Sequence, residues 1–362
     1  MSKSKLIFTA IVILLLTFLF ISIKCKNNSV SPVSGDNYPN VDSIGIDADP
    51  AIVAKLSITS RSFRMGTAGF VPDNYPNSSD ADWKYFYYTG ASLYGGIFGL
   101  HVSPTANLNS DGIPSQIVTA YESMRNVEPY VALVVSPDEG PFTSARGEEL
   151  KSAALAIAKK YKPGILSLGV ESNSLYLAQQ NSFDLYVQYA REIYDSIKVV
   201  SPNTQVMNNF QLERMKGVTA LTGENFPPNW DIINKFSGKI DLISFTVYPF
   251  LNYKTVAEIP DDYLAEIRSH TNLPVIITET GWPTVNLSSG VVGSDSAQIN
   301  YMLKLIKMAD GINVKILNWV LPHDANFGVA GGIFDHISLF ENDGAPKPAY
   351  DYWKAVNAVP LL

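Results

Sequence analysis

A single cysteine, Cys25, excludes an internal disulfide, and its place in a hydrophobic N-terminal stretch removes thiol catalysis from the rest of the chain. Histidine is scarce too. His101, His270, His323 and His336 form no HxH or HExxH pair, so a zinc or two-metal hydrolase lacks ligands and no metal site is expected. No GxSxG segment supplies a serine elbow. The first apolar run ends Met65-Gly66-Thr67-Ala68-Gly69-Phe70-Val71-Pro72 without a GxGxxG turn, which disfavours a nucleotide fold. No cofactor is implied. Beyond the first residues no basic run occurs, and the net charge of −7 gives nucleic acid no electrostatic footprint.

The N-terminus reads as a separate unit. Lys3 and Lys5 precede an apolar run from Leu6 to Ile23, followed by Lys24, Cys25 and Lys26. A charged start before such a run is the pattern of an export signal, and its 18 residues would also span a bilayer as an anchor. Cys25 resembles the lipid-modified cysteine of bacterial lipoproteins, although Lys24 stands where that signal takes a small residue. Residues 1–26 are therefore expected to be a signal peptide or a membrane or lipoprotein anchor, putting the protein outside the cell or on its surface. Residues 27–60, rich in Asn, Ser, Pro, Gly and Asp, read as a solvated linker. Its last part, from Asp49, is expected to pack on the following domain as a short helix or strand.

From residue 61 to 362 short apolar runs alternate with amphipathic segments. The runs are 63–70, 95–102, 129–135, 164–170, 205–210, 240–248, 273–278 and 314–321. Helical patterns cover 148–161, 183–200, 263–270, 296–309 and 349–356. Buried strands joined by helical crossovers make a parallel sheet. Eight such units predict an α/β fold: a single-domain (β/α)₈ barrel, whose chemistry sits at the carboxyl ends of its strands. That rule yields the candidates His101, Glu171, Asn208, Asn209, Gln211, Tyr248, Glu279, Trp319 and His323.

Two of them are acids that close apolar strands. Glu279 follows Leu273-Pro274-Val275-Ile276-Ile277-Thr278, and Glu171 follows Ile165-Leu166-Ser167-Leu168-Gly169-Val170. A carboxylate in that position has to be paired, hydrogen-bonded or functional. Strands four and seven lie nearly opposite in an eight-strand barrel, so the two acids face each other across its mouth. Two carboxyl groups about 5–5.5 Å apart are the machinery of a retaining glycosidase. Tyr248, at the end of strand six, is held extended by Pro249.

Several segments resemble the clan A retaining glycoside hydrolases, the barrel superfamily of endo-β-galactanases and β-1,3-glucanases. Thr278-Glu279-Thr280-Gly281-Trp282-Pro283 looks like their nucleophile segment, and Leu168-Gly169-Val170-Glu171-Ser172-Asn173 like their acid/base segment. The run Asp241–Pro249 resembles their sixth strand, Asn318-Trp319 their eighth, and Gly344–Tyr350 the lead into their last helix. The resemblance implies hydrolysis of a β-linked poly- or oligosaccharide, with Glu279 as nucleophile and Glu171 as acid/base. It also implies that Tyr248 hydrogen-bonds Glu279 and that Trp319 floors the sugar site; Trp282, His101 and Gln211 are further expected substrate contacts from their places at or just past the strand ends. Val170 stands where that family usually carries a sugar-binding Asn, a part that Asn173, Asn208 or Asn209 could take over. Glu213, just past strand five, reads as a solvated acid at a helix start. Two other readings share the barrel: a surface carbohydrate-binding protein without turnover, and a transglycosylase using the same two acids.

Overall fold

The computed structural model describes residues 48–69, 79, 86, 87, 93–123, 128–137, 140–217, 226–325 and 330–362. Residues 1–47, which include Cys25, the expected export segment and most of the expected linker, lie outside the described residues.

Eight strands run parallel and in sequence order around a closed barrel. They are β1 (Arg64–Gly69), β2 (Ile97–Val102), β3 (Glu128–Leu133), β4 (Ile165–Ser167), β5 (Gln205–Gln211), β6 (Leu242–Val247), β7 (Val275–Thr280) and β8 (Val314–Val320). Every expected run carries a strand, although β4 stops at Ser167, well short of Glu171. The helices are α1 (Pro50–Val53), α2 (Ser115–Ser123), α3 (Ser144–Tyr161), α4 (Asn173–Ala178), α5 (Gln180–Val200), α6 (Leu212–Lys216), α7 (Ile267–His270), α8 (Asp295–Gly311) and α9 (Pro348–Ala358). The long ones follow the 3.6-residue apolar pattern and carry local start signals. Thr143 and Ser294 cap α3 and α8 by accepting from the N–H groups of Arg146 and Ala297, and Pro348 opens α9. The helix expected over 263–270 survives only as its last turn, and a 3₁₀ segment, Trp230–Phe236, replaces a crossover helix between β5 and β6.

Two apolar cores flank the sheet. Ile97, Tyr130, Ala132, Ile165, Met207, Leu242, Ile276 and Ile316 belong to a small cluster inside the barrel, while the alternate residues join the large core under the helices. Side chains alternate faces along a strand, so this fixes which strand-end residues look into the mouth. Inward are Gly99 and His101 on β2, Asn209 and Gln211 on β5, Thr246 on β6 and Asn318 on β8. Gly99 has no substitute here, because a Cβ would come within 2.3 Å of the Tyr130 hydroxyl. On β7 the register changes. Phe245 pairs with Ile277 but Thr246 pairs with Glu279, so Thr278 is an extra residue and the bulge re-aims the side chains after it.

Closure comes from the pairing of β1 with β8, and Arg61, just ahead of β1, ties that edge to the C-terminal segment. Its guanidinium donates to the carbonyls of Phe63, Asn357 and Val359, and its backbone bonds Pro360 and Leu362. The short helix α1 packs against α9 beside it.

Candidate active site

Because of the bulge, Glu279 turns into the barrel mouth, where it is 1% exposed. The Tyr248 hydroxyl donates to its Oε2 at 2.6 Å, and His101 Nδ1 lies 2.9 Å from its Oε1. Burial, and then the charge of Glu279, raise the Tyr248 phenol well above its usual range, so it stays protonated and donating. Tyr248 and His101 therefore flank the two oxygens of the carboxyl group, one on each.

Glu171 has a different environment. It lies four residues beyond the end of β4 with φ +48°, a left-handed conformation uncommon for a residue with a side chain. The Thr246 hydroxyl donates to its Oε1 at 2.7 Å, and Arg214 Nη1 stands 4.0 Å from Oε2. Burial pushes its carboxyl up to about 7; Arg214 pulls the other way and the charge of Glu279 adds to the rise. Thr246 also sits directly across the ladder from Glu279. Both acids thus border the same residue, and Glu171 is the one that burial inclines to hold a proton near neutral pH.

Glu213, at the start of α6, is a third acid, bonded to the backbone of Tyr248. It is fully buried, not solvated as its place at the start of α6 suggests, because distant donors reach it. Its Oε1 accepts from the Tyr248 N–H at 3.0 Å and the Tyr263 hydroxyl at 2.8 Å, and its Oε2 from Gln211 Nε2 at 2.5 Å. Burial lifts it as well to about 7. Asp324, buried against Lys347 in the loop after β8, is lifted to about 7 by the same cause. Among the described residues no three His, Cys, Asp or Glu side chains are grouped to hold a metal ion.

These raised carboxyls fix a direction for stability. The folded chain keeps protons up to about pH 7 that an unfolded chain releases near 4.5, so unfolding releases protons between those values. Their contribution is complete below the unfolded pKa and is lost as pH rises through 7. Calorimetry is expected to show Tm falling from pH 5 to pH 8. Glu171→Gln should be the more stable protein at pH 8, by on the order of 3 kcal/mol, and lose that advantage by pH 5.

Of the residues expected to meet a sugar, Glu171, Glu279, Tyr248 and His101 come together in the mouth. Five do not. Asn208 points outward, donating to Ser172 Oγ at 2.6 Å and accepting from Tyr186 on α5. Asn173 is locked to the backbone of Gln211 by reciprocal 2.9 Å bonds. Gln211, although on the inward parity of β5, turns its amide to cap α6 through Arg214 N–H at 2.6 Å and to donate to Glu213. Trp319 lies on the outward face of β8, its ring against Tyr301 and Trp353 and its indole N–H on the Ile337 carbonyl at 2.8 Å. Trp282 packs against Phe250 and Tyr301 and donates to the Val292 carbonyl. Their bonds tie them to the scaffold instead of the cleft. Trp319→Phe is accordingly expected to cost on the order of 1–3 kcal/mol of stability in denaturant unfolding, leaving KM within about twofold. His323, from the last loop, is buried with its ring edge on Phe86 and Nδ1 beside the Asp324 carbonyl.

Thr246 and Arg214 also belong to the site, although the sequence does not single them out, and Asn209 belongs to it ahead of its neighbour Asn208. Thr246 can be found from Tyr248, two residues on and so on the same strand face, and Asn209 by choosing the inward parity on β5.

No protein-family model and no curated protein matches the sequence. Solved structures match the fold. A glycoside hydrolase family 17 β-1,3-glucanosyltransferase from Rhizomucor miehei gives a TM-score of 0.55 at 17% identity, covering 80% of this chain and 96% of that one. An active-site mutant of the Rhizomucor miehei β-1,3-glucanosyltransferase, in complex with laminaritriose, gives 0.56 at 16% identity over 80% of this chain and 96% of its own. A β-glucosidase from Thermotoga maritima in complex with castanospermine gives 0.59 at 13% identity over 84% and 100% of the two chains. At such identities the likeness establishes the fold. That fold is the closed (β/α)₈ barrel, the architecture that the sequence pattern predicts.

Proposed function

We propose that the protein cleaves β-linked oligo- or polysaccharides with retention of anomeric configuration, by double displacement at Glu279 and Glu171. The supporting observation is the unequal pair: a carboxylate held by Tyr248 and His101, and a buried carboxyl lifted to about 7, on either side of Thr246.

Glu279 attacks the anomeric carbon while Glu171 gives its proton to the departing glycosidic oxygen, forming a glycosyl ester and a free alcohol. Esterification removes the charge of Glu279, which had helped to keep Glu171 protonated. The pKa of Glu171 then falls, and as a carboxylate it takes a proton from water. That water attacks the same carbon, releases the sugar and returns both acids to their starting forms. No cofactor enters.

β-1,3-Glucan oligosaccharides are the first substrates to try, since laminaritriose is the ligand of the Rhizomucor neighbour. That neighbour's transferase activity favours a second outcome at the same acids, in which an acceptor sugar replaces water and longer products form at high substrate concentration. The paired acids speak for turnover over a barrel that only binds carbohydrate. The N-terminal pattern supports a position outside the cell or on its surface.

Incubation with a dinitrophenyl 2-deoxy-2-fluoro-β-glucoside tests the mechanism directly. The expected result is one added glycosyl mass on the peptide containing Glu279. Labelling of another residue, or release of the inverted anomer from substrate, defeats the proposal.

A further inference from the structure

Glu171 poses a problem that the sheet does not solve. The β4 ladder ends at Ser167, and Leu168 adds one more bond, to the Met207 carbonyl at 3.1 Å. The acid then sits in a left-handed conformation that costs on the order of 1–2 kcal/mol for a non-glycine residue. Something outside the ladder holds it there.

That something is Asn209. Its side-chain Oδ1 accepts from the Glu171 N–H at 2.7 Å, and its backbone carbonyl accepts from the N–H and hydroxyl of Ser172 at 2.9 and 3.0 Å. Its Nδ2 donates at 2.7 Å to the hydroxyl of Thr278, which in turn donates to the Phe245 carbonyl at 3.2 Å. The amide orientation is determined, because one end faces an N–H donor and the other a hydroxyl oxygen whose proton is already engaged. Thr278 is the bulged residue that aims Glu279 into the mouth. One planar group, 1% exposed, therefore grips the backbone of one acid and the bulge beside the other.

Building on the double-displacement reading, we infer that Asn209 is a positioning residue that sets the spacing of the two carboxyl groups by tying the Glu171 turn to the β7 bulge. Both ends of its amide are engaged by the scaffold, so its part is to hold the Glu171 turn and not to react. A misplacement of about 1 Å at a reacting group can cost a hundredfold in rate, and losing the tie frees Glu171 to that extent.

The test uses the full chain, its Asn209→Ala variant and phenyl and dinitrophenyl β-glucosides. Phenol is a poor leaving group and needs the proton of Glu171; dinitrophenolate does not. Asn209→Ala is expected to lose about a hundredfold on the phenyl glucoside but less than about fivefold in the first step on the dinitrophenyl glucoside. Azide, which attacks the glycosyl-enzyme without a base, is expected to restore turnover of the latter. Equal losses on both substrates with no azide effect would overturn the inference. Thr278→Val, which removes one hydroxyl and little volume, leaves the amide free to rotate. It should give the same leaving-group pattern at a few-fold amplitude, and a uniform loss counts against the tie.

A crystal structure of Asn209→Ala decides the matter independently of turnover. Glu171 is expected to leave the left-handed region, and an unmoved Glu171 would refute its dependence on Asn209. If the wild type cleaves neither glucoside nor laminarin nor any β-linked galactan or mannan, the catalytic proposal fails, while the crystallographic comparison still tests the tie.

Discussion

Glu279→Ala is expected to reduce kcat on a β-glucan by about ten-thousandfold or more, with the circular dichroism spectrum unchanged. Without the carboxylate no glycosyl-enzyme forms. Four powers of ten correspond to about 5.5 kcal/mol of activation free energy, a reasonable share for a nucleophile in a pre-organised site. The fold should survive, since the side chain leaves a gap beside Tyr248 and His101 and unpairs donors at a cost of about 1–3 kcal/mol each. Azide can occupy that gap and attack from the same face. It should yield a glycosyl azide of inverted configuration from the dinitrophenyl glucoside. Residual glucan cleavage above about one per cent of wild type would remove Glu279 from the nucleophile's role.

The next largest effect concerns Glu171 and pH. Its protonated form is the one that delivers a proton, and its carboxyl is raised to about 7 by burial and by Glu279. For a substrate with a poor leaving group, kcat/KM should therefore hold below pH 7 and fall tenfold per unit above it. The limb falls toward high pH because deprotonation removes the acid. Glu171→Gln should erase the limb and lower the rate by about a thousandfold, within the usual range for general acid catalysis. A wild-type profile flat from pH 6 to 9 would contradict the assignment.

The barrel could be read from the sequence because buried parallel strands leave continuous apolar runs that helices punctuate. Glu171 and Glu279 stood out because an acid ending such a run has few structural excuses. The same burial hid which way neighbouring residues face. With apolar layers on both sides of the sheet, alternation leaves no hydropathy signal, so Asn208 and Trp319 look as suitable as Asn209 and Asn318. On β7 the phase also depends on a bulge, which arises from pairing with β6 and not from local sequence. Glu213 misleads for a related reason. The groups that make its burial tolerable, Tyr248 and Tyr263, lie 35 and 50 residues away.

The clamp at Arg61 fixes where the preceding chain meets the domain. It joins the barrel where β1 begins, the end opposite the carboxylate pair, and α1 continues along that underside against α9. An attachment made through the chain ahead of α1 would therefore sit on the face away from the carboxylate pair and leave the mouth of the barrel clear.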